Sequence, residues 1–264
     1  MKILTIGDPH GQLDKIKRMP LKGADLILIT GDIGKADLAR QRYFENVERE
    51  RKGLPELEDT PEFDKKCFME IYDSSMSILK YTSKFAPVYF IFGNVEPTNK
   101  KTRKRIKEIG EKLPFFPQEA RNIPNVRIIN NKIANFNGVR IGGLEYFLDT
   151  NWVVDFKPRE YNEWTQRAKK ETEKAKGILK SFGHVDILLH HQPPYGILDK
   201  VGGKAPQHWH GKHAGSKLIL DYIKRTQPEY AFCGHIHEGE GEKTIGKTKV
   251  YNLGVCNYKV IEIH

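Results

Sequence analysis

The sequence has few cysteines and no long apolar segment. Three of its 264 residues are cysteine, at positions 67, 233 and 256, and no two of them form a C-x-x-C pair. An odd number without close spacing argues against a disulfide framework and against a thiolate zinc site. The longest apolar runs, such as residues 88–92, are far shorter than the roughly 20 residues that cross a bilayer. We therefore expect a protein of the reducing cytoplasm without a membrane span.

We find no internal repeat and expect no signal peptide at the start of the sequence. The first eight residues hold a brief apolar run that ends in an acidic residue, which predicts a first strand and not a signal peptide. Hydrophobic residues make up 38% and charged residues 30%, as in a folded globular protein. The net charge of +10 would attract polyanions, but abundant Lys and Glu are also typical of surface ion pairing. Charge alone does not identify a substrate.

Short apolar runs alternate with charged segments of helical spacing, which indicates an α/β fold. The predicted strands are residues 2–7, 25–30, 87–92, 126–129, 132–136, 139–143, 185–189, 229–233, 249–254 and 258–263. The predicted helices are residues 36–50, 63–84, 98–112, 159–182 and 216–225. Asn137-Gly138 is a strong signal for a hairpin turn between two of the strands.

The chain length suits one large α/β domain or two small ones, and we predict a single domain over residues 1–264. Residues 54–60 break the helical pattern between two helices that follow the second strand. These helices look like an insertion at about residues 36–84. Such an insertion would form a cap or a dimer contact, and the sequence leaves the oligomeric state open.

Residues with metal-binding side chains follow five of the predicted strands. The motifs are Asp8-Pro9-His10, Gly31-Asp32, Gly93-Asn94, His191-Gln192-Pro193-Pro194 and Gly234-His235-Ile236-His237. In α/β sheets ligands collect beyond the carboxyl ends of the strands, so we expect these groups to converge in one cavity. Carboxylates, an amide oxygen and imidazoles suit a divalent ion such as Mn, Fe, Zn, Ni or Co. Two such ions, bridged by a carboxylate that we expect to be Asp32, would activate a water and neutralise a phosphoryl group.

In this order the motifs D-x-H, G-D, G-N, H-x-P-P and G-H-x-H resemble those of the calcineurin-like metallophosphoesterase superfamily, from Asp8 to His237. The resemblance implies a four-layer α/β/β/α sandwich with two mixed β-sheets and two metal ions, manganese being favoured. It implies that Asp32 bridges the two ions. The implied ligands of one metal are Asp8, His10, Asp32 and His237, and those of the other are Asp32, Asn94, His191 and His235. The stretches 213–216 and 233–239 resemble the Icc-related phosphoesterase branch.

The third motif departs from the family pattern. Family members usually have G-N-H-D or G-N-H-E, in which the histidine protonates the leaving group, whereas this chain has Val95 at that place. Loss of a general acid typically costs roughly 10²–10⁴-fold in rate with a poor leaving group. We predict that His213 substitutes for it, so that the catalytic residues are Asp32 and His213. The alternatives for His208, His210 and His213 are an exposed loop and a third metal site.

Several of these residues also fit roles without chemistry. Asp8 and Asp32 would serve equally as N-caps of helices. Glu96 either orients the metal site through Asn94 or its neighbours, or lies at a helix start, where the helix dipole favours a carboxylate. His190, which precedes the H-x-P-P motif, is predicted to support the ligands or the fold without binding metal.

The predicted function is hydrolysis of phosphomonoesters or phosphodiesters. One alternative is a nuclease that acts on DNA or RNA, because the chain is basic and a run of cations from Lys100 to Lys107 lies close after Asn94. Such a run is more often a solvated helix face, and the sequence has no obvious aromatic-rich surface for stacking bases. The other alternative is a catalytically weak scaffold of the same fold, which Val95 favours.

Overall fold

Short apolar runs form the strands, as the sequence predicts. In this computed structural model the described residues are 1–156, 161–203 and 205–263. In chain order the strands are β1 (Lys2–Ile6), β2 (Leu26–Ile29), β3 (Val88–Phe90), β4 (Val126–Ile128), β5 (Lys132–Phe136), β6 (Val139–Leu144), β7 (Ile187–His190), β8 (Tyr230–Cys233), β9 (Gly241–Ile245), β10 (Thr248–Asn252) and β11 (Tyr258–Glu262).

The strands form two mixed sheets. The first has the order β11-β1-β2-β3-β4, in which β1 to β4 are parallel and β11 is antiparallel to β1. The second has the order β5-β6-β7-β8-β10-β9, with a parallel centre and an antiparallel strand at each edge. Because parallel strands need long crossover connections, helices fill much of the sequence between them.

Three of the helices begin at residues whose side chains satisfy one of the first backbone N–H groups. In chain order they are α1 (Leu13–Ile16), α2 (Asp37–Arg51), α3 (Pro61–Thr82), α4 (Asn99–Ile109), α5 (Phe116–Arg121), α6 (Thr150–Phe156), α7 (Tyr161–Phe182) and α8 (Lys217–Thr226). The side chains of Thr60, Thr98 and Ser216 cap α3, α4 and α8 by accepting a bond from the helix backbone. In the described part of the chain, no helix combines the length and the apolar character that crossing a bilayer requires.

Alternating side chains of the strands build cores on both faces of each sheet. In β2, Leu26 and Leu28 pack between the two sheets, whereas Ile27 and Ile29 pack with side chains of α1, α3 and α5. In β8, Phe232 lies between the sheets and the neighbouring Ala231 packs with α7 and α8. Strands buried on both faces explain the nearly continuous apolar runs in the sequence. These layers confirm the predicted α/β/β/α sandwich.

The structure adds elements that the sequence pattern does not reveal. The strand β9 escapes prediction because four of its five residues are exposed and do not alternate with apolar ones. The helices α1, α5 and α6 are too short to show a helical period. The hairpin at Asn137-Gly138 is confirmed, since β5 and β6 pair antiparallel around it. The predicted start of a helix at residue 159 lies outside the described residues.

The two helices of the predicted insertion have different roles. In α3, Met76, Ile78 and Leu79 are buried in the core beside the first sheet, so this helix belongs to the outer helical layer. In α2 the buried residue is Val47, which packs in a small cluster with Trp209 and Ile236. Because Ile236 lies between His235 and His237, this cluster connects α2 to the loop that carries two predicted ligands.

Candidate metal centre

The polar residues of the five motifs lie directly beyond parallel strands. Asp8 and His10 follow β1, Asp32 follows β2 and Asn94 follows β3. His191 follows β7, and His235 and His237 follow β8. Three of these residues have a left-handed backbone, with φ of 43° at His10, 46° at Asp32 and 66° at His235. This conformation costs about 1–3 kcal/mol for a non-glycine residue and is concentrated at functional sites.

Asp8, His10 and His237 form a first group of converging ligand atoms, all within 4.8 Å of one another. The Nε2 atoms of His10 and His237 are 3.2 Å apart, and Nε2 of His237 is 3.4 Å from Oδ2 of Asp8. Two imidazole nitrogens thus face the same space beside a carboxylate. This is the donor chemistry that a divalent transition metal binds.

Asp32 and His191 form a second group with Asp8. Nε2 of His191 lies 3.6 Å from Oδ2 of Asp32 and 3.1 Å from Oδ1 of Asn94. Nδ1 of His191 is 3.0 Å from the carbonyl oxygen of Thr30, to which it donates. This bond fixes the ring so that Nε2 faces Asp32 and Asn94, and without metal Nε2–H donates to Oδ1 of Asn94.

The two groups meet at the aspartates. Oδ2 of Asp32 is 3.9 Å from Nε2 of His10 and 3.6 Å from Nε2 of His191, so Asp32 lies where a bridging carboxylate is expected. Asp8 also reaches both groups, and its Oδ1 is 3.7 Å from Nδ1 of His191. The rings of His191 and His235 have centroids 4.9 Å apart. The structure therefore brings the seven residues together, while their division between two ions stays a prediction.

Hydrogen bonds orient both aspartates. Thr30 Oγ1 donates to Oδ1 of Asp8 at 2.8 Å, and the backbone N–H of His235 donates to Oδ2 at 2.6 Å. The backbone N–H of Val95 donates to Oδ1 of Asp32 at 2.9 Å. Neither aspartate directly precedes a helix, so the alternative role of helix N-cap is wrong for both.

The buried charges shift one another's pKa values in opposite directions. Although burial opposes ionisation, the charge of His191 holds the pKa of Asp8 and of Asp32 below the ordinary value. The two carboxylates raise the pKa of His191 to about 10 against the effect of its burial. Burial lowers the pKa of His10, and it lowers that of His235 to about 3. The last two imidazoles are therefore neutral near pH 7, which is the form that binds metals.

Two glycines leave the space that the carboxylates occupy. A Cβ on Gly93 would lie 2.2 Å from Oδ1 of Asp32 and 2.6 Å from Cε1 of His191. A Cβ on Gly234 would lie 2.1 Å from Oδ1 of Asp8. The glycine in the G-N and G-H-x-H motifs is thus required by the close approach of the backbone to the ligands.

Glu96 is a fully buried carboxylate that joins two of the ligand loops. It accepts backbone N–H bonds from Asp32 at 3.2 Å, Ile33 at 2.6 Å and Gly93 at 2.7 Å. Burial, together with the charge of Asp32, raises its pKa to about 7. The helix α4 begins only at Asn99, so Glu96 does not lie at the helix start, and its orienting role toward the site stays a prediction that these contacts favour. The signal in the sequence is an acidic residue in a turn, two positions after a ligand.

The basic run after Asn94 is partly structural. Lys101 donates through Nζ to the carbonyl oxygens of Asn94 at 2.8 Å and Glu96 at 3.3 Å, which ties α4 to the ligand loop. Arg105 forms an ion pair with Asp64 of α3. These cations hold α4 in place, so the run as a whole is not a free path for a polyanion.

Arg40 brings a positive charge to the ligands from α2. Its Nη2 is 3.0 Å from Nε2 of His10, and the side chain is partly exposed. Because a guanidinium has donors and no acceptor, Nε2 of His10 must accept this bond. No sequence pattern indicates this contact, since Arg40 lies in a charged helix without a motif.

The position of the usual general acid holds an apolar side chain. Val95 is partly buried and contributes its backbone N–H to Asp32. Nδ1 of His213 is 2.6 Å from Oδ1 of Asp199, and its ring lies 5.4 Å from that of Tyr195. Within the described residues no contact joins His213 to the seven ligands, and its role as the acid stays a prediction.

The other histidines have separate surroundings. His208 lies 3.9 Å from Glu48, and Nε2 of His210 donates to the carbonyl oxygen of Ala205 at 2.8 Å. Residues 208, 210 and 213 form no group of three converging ligands in the part of the chain that the structure describes, which gives a third metal site no support. His190 is buried and donates from Nδ1 to the carbonyl oxygen of Gln192 at 2.7 Å, so it stabilises the turn after β7.

The donor set fits divalent cations. Asp8 and Asp32 are nearly inaccessible to solvent, and in the described residues neither forms an ion pair with a lysine or an arginine. Buried carboxylates are normally paired or bound to a metal. The surrounding imidazoles and the amide of Asn94 supply further metal-binding atoms without thiolates.

Comparisons with known proteins agree with this geometry. Residues 1–239 match the family described as calcineurin-like phosphoesterase. A UPF0046 protein of Caenorhabditis elegans is 26% identical over 97% of this chain, which spans only 56% of that protein's length. An uncharacterized protein of Methanocaldococcus jannaschii is 26% identical, with 99% of this chain and 92% of that protein covered. One crystal structure shares the fold, with a TM-score of 0.59, 17% identity and coverage of 99% and 98%.

Replacement of Gly93 by alanine should remove metal binding without changing a ligand. The added methyl group would lie 2.2 Å from Oδ1 of Asp32, so the carboxylate must move. Metal content after dialysis against Mn²⁺ measures the effect. The control is Gly177→Ala in α7, where a Cβ meets nothing within 4 Å and the change should stabilise the helix by about 0.5–1 kcal/mol. Full metal content in Gly93→Ala would contradict the close packing proposed for this loop.

Replacement of Glu96 by glutamine should destabilise the protein and lower its metal affinity. An amide nitrogen would then face backbone N–H donors, and a buried polar group without a partner costs about 1–3 kcal/mol. Urea denaturation of the metal-free protein and Mn²⁺ titration measure the two effects. Glu173→Gln, at an exposed position of α7, should change neither property. Equal stability of the Glu96 variant and the parent would show that the carboxylate does not join the loops.

Proposed function

Because the chain belongs to the calcineurin-like phosphoesterase family, we propose that it hydrolyses phosphomonoesters or phosphodiesters with two divalent metal ions, manganese being favoured. Family membership supports metal-dependent phosphoester hydrolysis in general. The substrate class and the identity of the metal are proposed in addition. Two bound cations would supply an activated water and neutralise charge on the phosphoryl group.

The observation that carries the proposal is the pair of buried carboxylates without a lysine or arginine partner. Asp8 and Asp32 lie among the rings of His10, His191 and His237 at distances from 3.4 to 3.9 Å. A purely structural site would neutralise these carboxylates or pair them with permanent cations. Instead the fold surrounds them with imidazoles, which bind a metal once they have lost their extra proton.

The exposure of the ligands indicates the side from which the substrate enters. Asp8, Asp32 and His191 are buried, whereas Asn94 is exposed and His235 and His237 are partly exposed. A phosphate would therefore approach across the amide of Asn94 and these two imidazoles. N–H groups at this exposed side of the site would stabilise negative charge on the phosphoryl oxygens.

The chemistry of the leaving group follows from Val95. A valine holds no exchangeable proton, so an alkoxide leaving group would depart without help from this position. We therefore expect the highest activity with acidic leaving groups such as aryl oxides. His213, paired with Asp199 at 2.6 Å, is the residue that we propose as the alternative proton donor.

Replacement of either central ligand should abolish metal binding and hydrolysis together. We expect Asp32→Asn and His191→Ala to lose bound metal and to lower the turnover of an aryl phosphate or aryl phosphodiester with Mn²⁺ by at least roughly 10²-fold. Metal analysis and initial rates measure these effects. Asp73→Asn, at an exposed position of α3, removes the same charge and should have no effect.

The same assay distinguishes the alternative functions. Salt-sensitive cleavage of DNA or RNA, with little hydrolysis of small esters, would favour the nuclease that the net charge of +10 leaves open. Metal binding without hydrolysis of any ester, with Mn²⁺, Fe²⁺, Co²⁺, Ni²⁺ or Zn²⁺, would favour a scaffold. Unchanged metal content in both ligand variants would contradict the site itself.

Restoring a histidine at position 95 tests the proton donor. Val95→His should raise the turnover of alkyl phosphates more than that of aryl phosphates, because only a poor leaving group needs protonation. If His213 is the acid, His213→Gln should lower alkyl ester turnover selectively, whereas His210→Gln should not, since His210 only donates to Ala205. Equal effects of His213→Gln on both ester types would argue against that role.

A further inference from the structure

Arg40 is the residue of α2 that reaches the candidate metal centre. Its Nη2 lies 3.0 Å from Nε2 of His10. Other arginines of the same helix form ion pairs, Arg42 with Asp59 and Arg51 with Glu48. In the described part of the chain Arg40 has no such carboxylate partner, although Asp8 and Asp32 lie close by. Its charge is therefore available to another anion.

The contact between Arg40 and His10 competes with the predicted role of His10. Nε2 of His10 has one lone pair, which accepts the guanidinium N–H. As a ligand, His10 would use that same lone pair for the cation. Since a guanidinium and a metal ion also repel each other, metal binding must release Arg40 from His10.

The backbone of Arg40 is held beside the site when the side chain is released. The next turns of α2 place Phe44 and Val47 against Trp209 and Ile236. The start of the helix is fixed by a bond from the backbone N–H of Leu38 to Glu70 at 3.3 Å. A released guanidinium therefore stays at the edge of the site, on a helix that cannot easily move away.

We propose that Arg40 binds the phosphate group of the substrate once metal occupies His10. This inference rests on the proposed function and assigns a residue of the insertion to substrate recognition. The planar fork of a guanidinium matches two oxygens of a phosphate. In the metal-free protein the imidazole of His10 takes the place of that anion. Arg40 thus exchanges one acceptor for another as the site is filled.

The test measures metal and phosphate binding separately. For Arg40→Met, titration calorimetry of inorganic phosphate into the Mn²⁺-loaded protein should show affinity weaker by roughly tenfold or more, because a charge-assisted bidentate contact is lost. Mn²⁺ affinity should stay equal or increase, because a competitor for His10 has been removed. Arg40→Lys, which keeps the charge but not the fork, should bind phosphate with intermediate affinity.

The matched control is Arg51→Met on the same helix, whose arginine is exposed and pairs with Glu48. It should leave both affinities unchanged. Unchanged phosphate affinity in Arg40→Met would overturn the inference while the proposed function stands. Parallel loss of Mn²⁺ and phosphate would also overturn it, since Arg40 would then support the metal ligands. A parent protein that binds Mn²⁺ but no phosphate would overturn both.

Discussion

The fold holds two buried aspartates, Asp8 and Asp32, ionised side by side, and much of the local structure follows from that constraint. Like charges in a poorly solvated space repel, and each needs hydrogen bonds and opposite charge nearby. Backbone N–H groups, the hydroxyl of Thr30 and the ring of His191 supply them. Both sheets contribute, since Asp8 and Asp32 follow strands of one and His191 follows a strand of the other. The site therefore depends on the packing of the two sheets.

Glu96 supports the candidate ligands indirectly, because its carboxylate connects the loops after β2 and β3. Its burial, together with the negative charge of Asp32, raises the pKa of this carboxylate to about 7. A bound cation would lower that pKa, because it stabilises the ionised form. The conformation of these two loops and the binding of a metal would thus be coupled through the buried side chain of Glu96. Arg40 provides a second coupling, since the lone pair of His10 cannot serve both the guanidinium and a metal.

Patterns that are local in sequence predict most of the fold and the convergence of the candidate ligands. Buried parallel strands give uninterrupted apolar runs, and each of the five motifs follows one of them, so the convergence of Asp8 and His237 was expected without any contact being known. The exposed strand β9 lacks such a run and was missed. The contacts of Arg40 and Glu96 depend on the packing of α2 and on the turn before α4, which no periodicity encodes.

The contacts that hold the loop after β3 do not involve the side chain at position 95. Asn94 offers its amide to His191, Val95 gives a backbone N–H to Asp32, and Glu96 fixes the loop; none of these contacts needs a proton donor at position 95. Without that donor, stabilisation of the transition state falls on positive charge, which is most effective where little proton transfer is needed. A guanidinium at the edge of the site supplies such charge at every accessible pH. Val95 and the role proposed for Arg40 are both consistent with substrates whose leaving group needs little protonation.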